Sequence, residues 1–311
     1  MTDPTYSVVI PVYNEHETIP TLFERVRAVI DTFDAAAEVI LVDDGSVDDS
    51  WRMLEGLHER DPRFKCLSLS RNFGHQVAVT AGLDHARGKA IMVLDGDLQD
   101  PPEVLPDLIR RWKDGYDVVY AVRTKRKENI FKRTAYALFY RLLKQLSDLD
   151  IPLESGDFCL VDRKVLAAMK MMPERNRFVR GIRTWVGYRQ TGCTYERDRR
   201  FAGGSKYTFR KLVALAYDGI FSVSTLPLRL AVHLGFALSL AAIAGAIWVV
   251  YEKIFRGIAL VGWASTMTVM TLLGGFMLST LGVIGEYVSR IYQEVKQRPI
   301  YFLKGKMGYE D

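Results

Sequence analysis

The chain has 311 residues, with 42 Lys and Arg against 37 Asp and Glu, giving a net charge of +5. A charged share of 25% and a hydrophobic share of 49% exclude wholesale disorder, and the length suggests about two folding units. So mild a basic excess, with no basic run, excludes a nucleic-acid-binding balance, and no nucleic-acid partner is expected.

In chain order, residues 6–12 form a short, continuous apolar run of β-branched type, as in a strand buried on both faces. Further strands are predicted at 38–42, 66–69, 90–94 and 118–121, and between them lie helical patterns at 17–33, 47–60, 75–86 and 103–114. Strand alternating with helix predicts an α/β fold with a mostly parallel sheet and helices on both faces. Ligands of such sheets bind at the carboxyl ends of the strands. Residues 130–146 place Phe131, Leu138 and Leu142 on one helical face and Arg133, Arg141 and Lys144 on the other, and residues 207–225 read as a second interfacial segment. Two stretches then lack any charge, 230–251 and 257–285. Each exceeds the roughly 20 residues a helix needs to cross a bilayer. Lys and Arg flank the pair on the outer sides (Arg210, Lys211 and Arg229 before; Arg290, Lys296, Arg298, Lys304 and Lys306 after), so both termini are expected in the cytoplasm. The first residues lack a signal-peptide pattern, which agrees. Cys66, Cys159 and Cys193 follow no metal-ligand spacing and read as buried thiols.

The chemistry concentrates where strands end. No G-x-G-x-x-G follows the first or second strand, which disfavours dinucleotide binding. Asp95 and Asp97 follow the fourth strand one residue apart, with Gly96 between them to let the turn bend, a spacing that lets both carboxylates reach one hard divalent cation. Carboxylates also close strand one (Glu15) and strand two (Asp43, Asp44), and the convergence favours metal-assisted diphosphate chemistry.

The set Ser7-Val-Val-Ile-Pro-Val-Tyr-Asn-Glu15, Val42-Asp-Asp-Gly-Ser46, Arg71-Asn-Phe-Gly74 and Asp95-Gly-Asp-Leu-Gln-Asp-Pro101 resembles the family 2 inverting glycosyltransferases. Met172-Pro-Glu-Arg-Asn176, Trp185-Val-Gly187, Thr225-Leu-Pro-Leu-Arg229, Gly285-Glu-Tyr-Val-Ser-Arg-Ile-Tyr292 and Lys296-Gln-Arg-Pro299 extend the resemblance over nearly the whole chain. They narrow it to the polyprenyl-phosphate branch, which holds dolichol-phosphate mannose synthases and, more closely similar, bactoprenol glucosyltransferases. The resemblance implies a GT-A type sheet and a nucleotide-sugar pocket made by Pro11, Tyr13, Glu15, Asp43, Asp44 and Arg71. Glu15 and Asp43 would hold base and ribose, with Asp43 and Asp44 unranked. Asp95, Asp97 and Gln99 match the triplet for a divalent metal, Mg²⁺ or Mn²⁺, and for the donor diphosphate. Gly96 stands where the family commonly has Ala. Arg123, Lys132 and Arg133 match positions that meet the lipid phosphate, Arg200 and Lys206 match a mobile loop over the donor, and Asp157 matches an acidic position near the sugar. Asp157, Asp97 and Arg123 are thus the expected catalytic set.

The implied reaction is inverting transfer of a sugar to a membrane polyprenyl phosphate. Glucose from UDP-glucose is favoured over UDP-GlcNAc, UDP-galactose, aminoarabinose or GDP-mannose donors. The acceptor is already anionic at neutral pH, so the chemistry needs help chiefly at the departing nucleoside diphosphate. A processive polysaccharide synthase would carry Gln-x-x-Arg-Trp, absent here, and a flippase would need more spans. An inactive membrane scaffold would be free to lose the acidic triplet. The expected organisation is a GT-A core at 1–127, an amphipathic interfacial helix at 128–150, completion of the catalytic domain with the loop at 151–206 and a second interfacial segment at 207–229. Transmembrane helices follow at 230–251 and 258–285, then a cytoplasmic tail at 286–311, in a multi-pass protein of the inner (cytoplasmic) membrane with its catalytic domain in the cytoplasm. Nucleotide sugar, polyprenyl phosphate and membrane are the expected partners; a homo-oligomer is left open.

Overall fold

The computed structural model describes residues 3–123, 155–172, 174–175, 177–196, 226–256 and 262–309. The amphipathic segment expected at 128–150, the loop residues Arg200 and Lys206, and residues 207–225 lie outside the described residues. The chain divides into two compact units, one built on the sheet and including residues 298–311, the other helical and ending at residue 297.

The sheet unit holds eight strands in the order β7-β5-β6-β4-β1-β2-β3-β8. They are β1 Tyr6–Val12, β2 Ala37–Asp43, β3 Phe64–Leu69, β4 Ala90–Val93, β5 Val118–Arg123, β6 Ser155–Asp162, β7 Gln190–Tyr195 and β8 Leu303–Met307. Parallel pairing joins β1 to β2 and β4, β2 to β3, and β5 to β7, while β6 and β8 run antiparallel to their neighbours. All seven residues of β1 are buried, as expected of a central strand covered on both faces.

Helices form one layer on each face. The helices α1 (Ile19–Ile30), α2 (Ser50–Arg60) and α4 (Leu105–Lys113) send Leu22, Phe23, Val26, Leu54, Leu57, Leu105 and Leu108 into one core with Val8, Ile10, Val39 and Leu41. On the other face α3 (His75–His85), α5 (Arg163–Lys170) and α6 (Val179–Trp185) pack Ala78, Val79, Leu83, Val165, Leu166 and Ile182 against Val9, Ile40, Val42 and Ile91. Alternate strand residues thus feed opposite cores, as the period-two pleat requires. In α3 the contact with β1 is so close that a Cβ on Gly82 would stand 2.2 Å from Val9 Cγ1. All three cysteines are free and buried, and burial pushes the Cys66 thiol up to about 12.

In the helical unit α7 (Leu226–Phe255) and α8 (Trp263–Val295) span 30 and 33 residues. Their mean hydropathies reach 2.1 and 1.8, long and apolar enough to cross a membrane. Residues 230–251 lie within α7 and residues 263–285 within α8.

Candidate active site

Because β1, β2, β3 and β4 run parallel, their carboxyl ends share one rim. The antiparallel pairing of β6 with β4, which sets Cys159 opposite Val93, brings the amino end of β6, and hence Asp157, to the same rim. The carboxyl end of β5 brings Arg123 there too. The fold thereby gathers Tyr13, Glu15, Asp43, Asp44, Arg71, Asp95, Asp97, Gln99, Arg123 and Asp157, residues scattered over 145 positions of sequence. Pro11 lies within β1 and is buried.

The ends of β1 and β2 are laced together. The Asn14 amide donates to Ser46 Oγ at 2.9 Å, the Val47 amide donates to Asn14 Oδ1 at 2.9 Å, and the Glu15 amide donates to Ser50 Oγ at 3.0 Å. Asn14 has φ 51°, the left-handed region that Asn tolerates better than most residues. Asp43 accepts from the Ser46 amide and from Ser68 Oγ, at 3.0 and 3.2 Å. Asp44 accepts from the amides of Phe73 and Gly74, at 2.8 and 3.0 Å, and so ties the Arg71–Gly74 loop to the end of β2. Burial raises the Asp44 carboxyl above its ordinary range, against the opposing pull of those two amides. Gly45 makes the approach feasible: it has φ +67°, and a Cβ there would lie 2.3 Å from the Arg71 carbonyl carbon. Arg71 itself is exposed, with its guanidinium 4.0 Å above the Phe73 ring. Tyr13 is exposed, while Glu15 Oε2 accepts from Thr18 Oγ1 at 2.9 Å.

The turn after β4 bends sharply. Leu98 has φ 57°, unusual for a branched aliphatic residue, and its side chain is sunk in the core, which holds the turn in place. The Gln99 amide donates to Asp97 Oδ1 at 3.1 Å. Asp95 is the exceptional group: its Oδ1 is buried with no hydrogen-bond partner. Burial, opposed by His75 but reinforced by Asp100, Asp157 and Asp97, pushes the Asp95 carboxyl up to about 6. Among the described residues no group of three or more His, Cys, Asp and Glu side chains forms a metal cage. The bare Asp95 oxygen beside Asp97 nevertheless suits a hard divalent cation held by two carboxylates, with remaining positions filled by ligand oxygens.

Several residues of the rim were not marked in the sequence. His75 Nε2 lies 3.2 Å from Asp157 Oδ2 and 3.6 Å from Asp95 Oδ1. Gln76 Nε2 donates to Asp157 Oδ2 at 2.9 Å while its Oε1 accepts from the Val179 amide at 3.0 Å, joining α3 to the start of α6. Arg180 Nε donates to Asp157 Oδ1 at 2.8 Å. Burial alone would raise the Asp157 carboxyl, but His75 and the Arg180 guanidinium outweigh it and hold the group well below the usual carboxylate range. The same contacts raise the His75 imidazole against the opposing effect of its burial. Arg123, expected at the lipid phosphate, donates through Nη2 to the fully buried Asp100 at 3.4 Å and through Nε to the Tyr195 hydroxyl at 3.1 Å. Tyr195 in turn donates to Asp100. The one available signal for His75 was its position directly after Arg71-Asn-Phe-Gly74, at the start of a predicted helix; Asp100 stood inside the Asp95–Pro101 motif without a role, and Gln76, Arg180 and Tyr195 carried no signal.

The mixed sheet has helices on both faces and carboxylates massed on its carboxyl rim, the architecture of a GT-A type domain. Residues 7–169 match the Glycosyl transferase family 2 model, and the chain belongs to that family and is a glycosyltransferase. It is 47% identical to the "Uncharacterized glycosyltransferase YkcC" of Bacillus subtilis, over 98% of this chain and 95% of that protein. It is 41% identical to the bactoprenol glucosyl transferase of Shigella phage SfII, over 96% of this chain and 97% of the relative. Identity to the prophage bactoprenol glucosyl transferase homolog of Escherichia coli is 40%, over 96% and 98% respectively. Among solved structures, glucosyl-3-phosphoglycerate synthase from Mycobacterium tuberculosis, in complex with Mn²⁺, UDP and glucosyl-3-phosphoglycerate, is similar with TM-score 0.46 and 18% identity, covering 69% of this chain and 76% of that one.

Proposed function

We propose that the protein transfers glucose from UDP-glucose to a polyprenyl phosphate, giving a polyprenyl-monophosphate glucose with inversion at the anomeric carbon. The observation that carries this reading is the buried Asp95 oxygen, without a hydrogen-bond partner, on the rim of a transferase domain whose chain also holds two span-length apolar helices. The names of the phage and prophage relatives, which match the chain end to end, support glucose and the prenyl acceptor.

Asp95 and Asp97, with Gln99 beside them, would hold Mg²⁺ or Mn²⁺, whose chemistry there is to offset charge growing on the departing diphosphate. The ends of β1 and β2, with Glu15, Asp43, Asp44 and Arg71, receive the nucleoside. The acceptor phosphate attacks as an anion, so no strong base is required of the protein. Asp157, already committed to three donor side chains, positions its neighbours. Arg123, Lys132 and Arg133 are assigned to the lipid phosphate, and Arg200 and Lys206 to closure over the donor. The transferase domain and both termini face the cytoplasm, where nucleotide sugars are made. The test is a panel of radiolabelled UDP-glucose, UDP-galactose, UDP-GlcNAc and GDP-mannose, offered with undecaprenyl phosphate to the detergent-purified protein. Label should enter the lipid fraction from UDP-glucose and be lost in excess chelator. Transfer from a different donor overturns the sugar assignment, and full turnover in chelator overturns the role of the metal.

A further inference from the structure

On the rim, His75 is held more tightly than a surface histidine at a helix start needs to be. Asp44 anchors the two amides that precede it, those of Phe73 and Gly74, so the backbone position of His75 is set by the end of β2. Its Nε2 sits between Asp157 and Asp95, carboxylates contributed by β6 and the end of β4. That contact fixes the ring and leaves Nδ1 with no hydrogen-bond partner among the described residues, on a side chain that is 45% exposed. Asp157 has no comparable freedom. Its Oδ1 accepts from Arg180, its Oδ2 from Gln76 and His75, and the residue is only 7% exposed. A carboxylate so occupied holds other groups in place and has little capacity left for a ligand.

The chemistry around His75 selects the kind of group it can meet. Asp95, Asp97 and Asp157 outnumber the nearby Arg180 guanidinium, so the surroundings of His75 disfavour a phosphate not neutralised by a cation. A hydroxyl suits them, since it donates one hydrogen bond while accepting another, and His75 Nδ1, on the side of the ring turned away from the carboxylates, has no hydrogen-bond partner among the described residues. In a nucleotide-sugar site the part of the ligand rich in hydroxyls is the hexose.

We propose that His75 contacts a hydroxyl of the donor sugar through Nδ1 and helps determine which sugar is accepted, with Asp157 as the positioning residue that fixes its ring. The inference rests on the reading of the rim as a nucleotide-sugar site, and it does not depend on which acceptor is used. The test compares the affinities of wild type, His75→Ala and His75→Asn for UDP and for UDP-glucose by titration calorimetry with Mg²⁺ present. Removing His75 should weaken UDP-glucose by about 10- to 100-fold and leave UDP unchanged, the loss expected for one hydrogen bond made to the sugar alone. Asn, whose amide can stand near the place of Nδ1, should recover part of the loss. UDP and UDP-glucose weakening together, or neither weakening, overturns the proposal. Thermal unfolding of both variants provides a separate reading, because a merely structural histidine would lower stability in each and spare the difference between the two ligands. Turnover onto undecaprenyl phosphate is scored apart: its absence in the wild type defeats the acceptor assignment and leaves the binding comparison standing.

Discussion

Replacing Arg123 by Ala separates a structural role from a purely surface one. Asp100 is fully buried, and its carboxylate is met by the Arg123 guanidinium and the Tyr195 hydroxyl. Burial pushes the Tyr195 hydroxyl up, with the Asp100 charge adding to it, so the hydroxyl stays protonated and remains a donor. Loss of Arg123 would take a guanidinium away from a buried anion. Breaking a buried pair by removing one member costs about 3–5 kcal/mol. The 3.4 Å separation and an Arg123 side chain that is 21% exposed shift the expectation downward from that range, to about 2–4 kcal/mol here. For a domain of this size that corresponds to a fall of about 4–16 °C in the unfolding midpoint, readable by intrinsic fluorescence at a fixed scan rate. The double variant Asp100→Asn/Arg123→Ala should be less destabilised than Arg123→Ala alone, because the buried charge has gone with its cationic partner. An Arg123→Ala protein that melts with the wild type would refute this reasoning and leave Arg123 with only the lipid-phosphate role expected from sequence.

Other consequences are more local. Gly82→Val should destabilise by roughly 1–3 kcal/mol or more, since even the Cβ would collide with Val9; chemical denaturation measures it, and an unchanged midpoint would contradict the packing of α3 on β1. Asp61→Asn should cost about 1–3 kcal/mol at neutral pH, because hydrogen bonds from Arg63 lower the Asp61 carboxyl below its ordinary value. That stability is present above the unfolded carboxyl pKa and lost as pH falls through the lower folded value, so wild type and variant should converge in acid. Gly257→Cys should react with an impermeant thiol reagent from outside the cell, and Lys304→Cys should not. The three native cysteines are buried and add little background, and the reverse pattern would reject the assigned orientation.

The legible part of the fold was the part with a clear period. β1 to β5 stand out because each strand is a short apolar run, and α1, α2 and α4 because their apolar residues recur every three to four positions, whereas α3 buries the continuous run Ala78–Leu83. β6, in Ser155–Asp162, mixes Asp157 and Asp162 with apolar residues and becomes a strand through its fit between β4 and β5. β8 alternates Lys304 and Lys306 with Leu303, Gly305 and Met307 and reads as a charged tail, yet it closes the sheet edge beside β3. At the site, acidic residues next to strand ends were visible because the fold rule gives those positions weight. His75, Gln76 and Arg180 acquire meaning only through Asp157, from which each is about 20 to 80 residues distant in sequence. Arg123 shows the converse: its position on the rim was foreseeable, whereas its engagement with Asp100 depends on a tertiary contact.

The central claim is that a sugar, and not a sugar phosphate, moves onto a lipid monophosphate. Mass spectrometry of the lipid product formed from UDP-glucose and undecaprenyl phosphate by the detergent-purified protein tests it directly, with the anomeric configuration read by NMR. The expected product is a hexosyl monophosphate lipid with the β-anomeric linkage that inversion of UDP-α-glucose produces. A lipid diphosphate, a retained α linkage, or no lipid product from any of the four donors would contradict it.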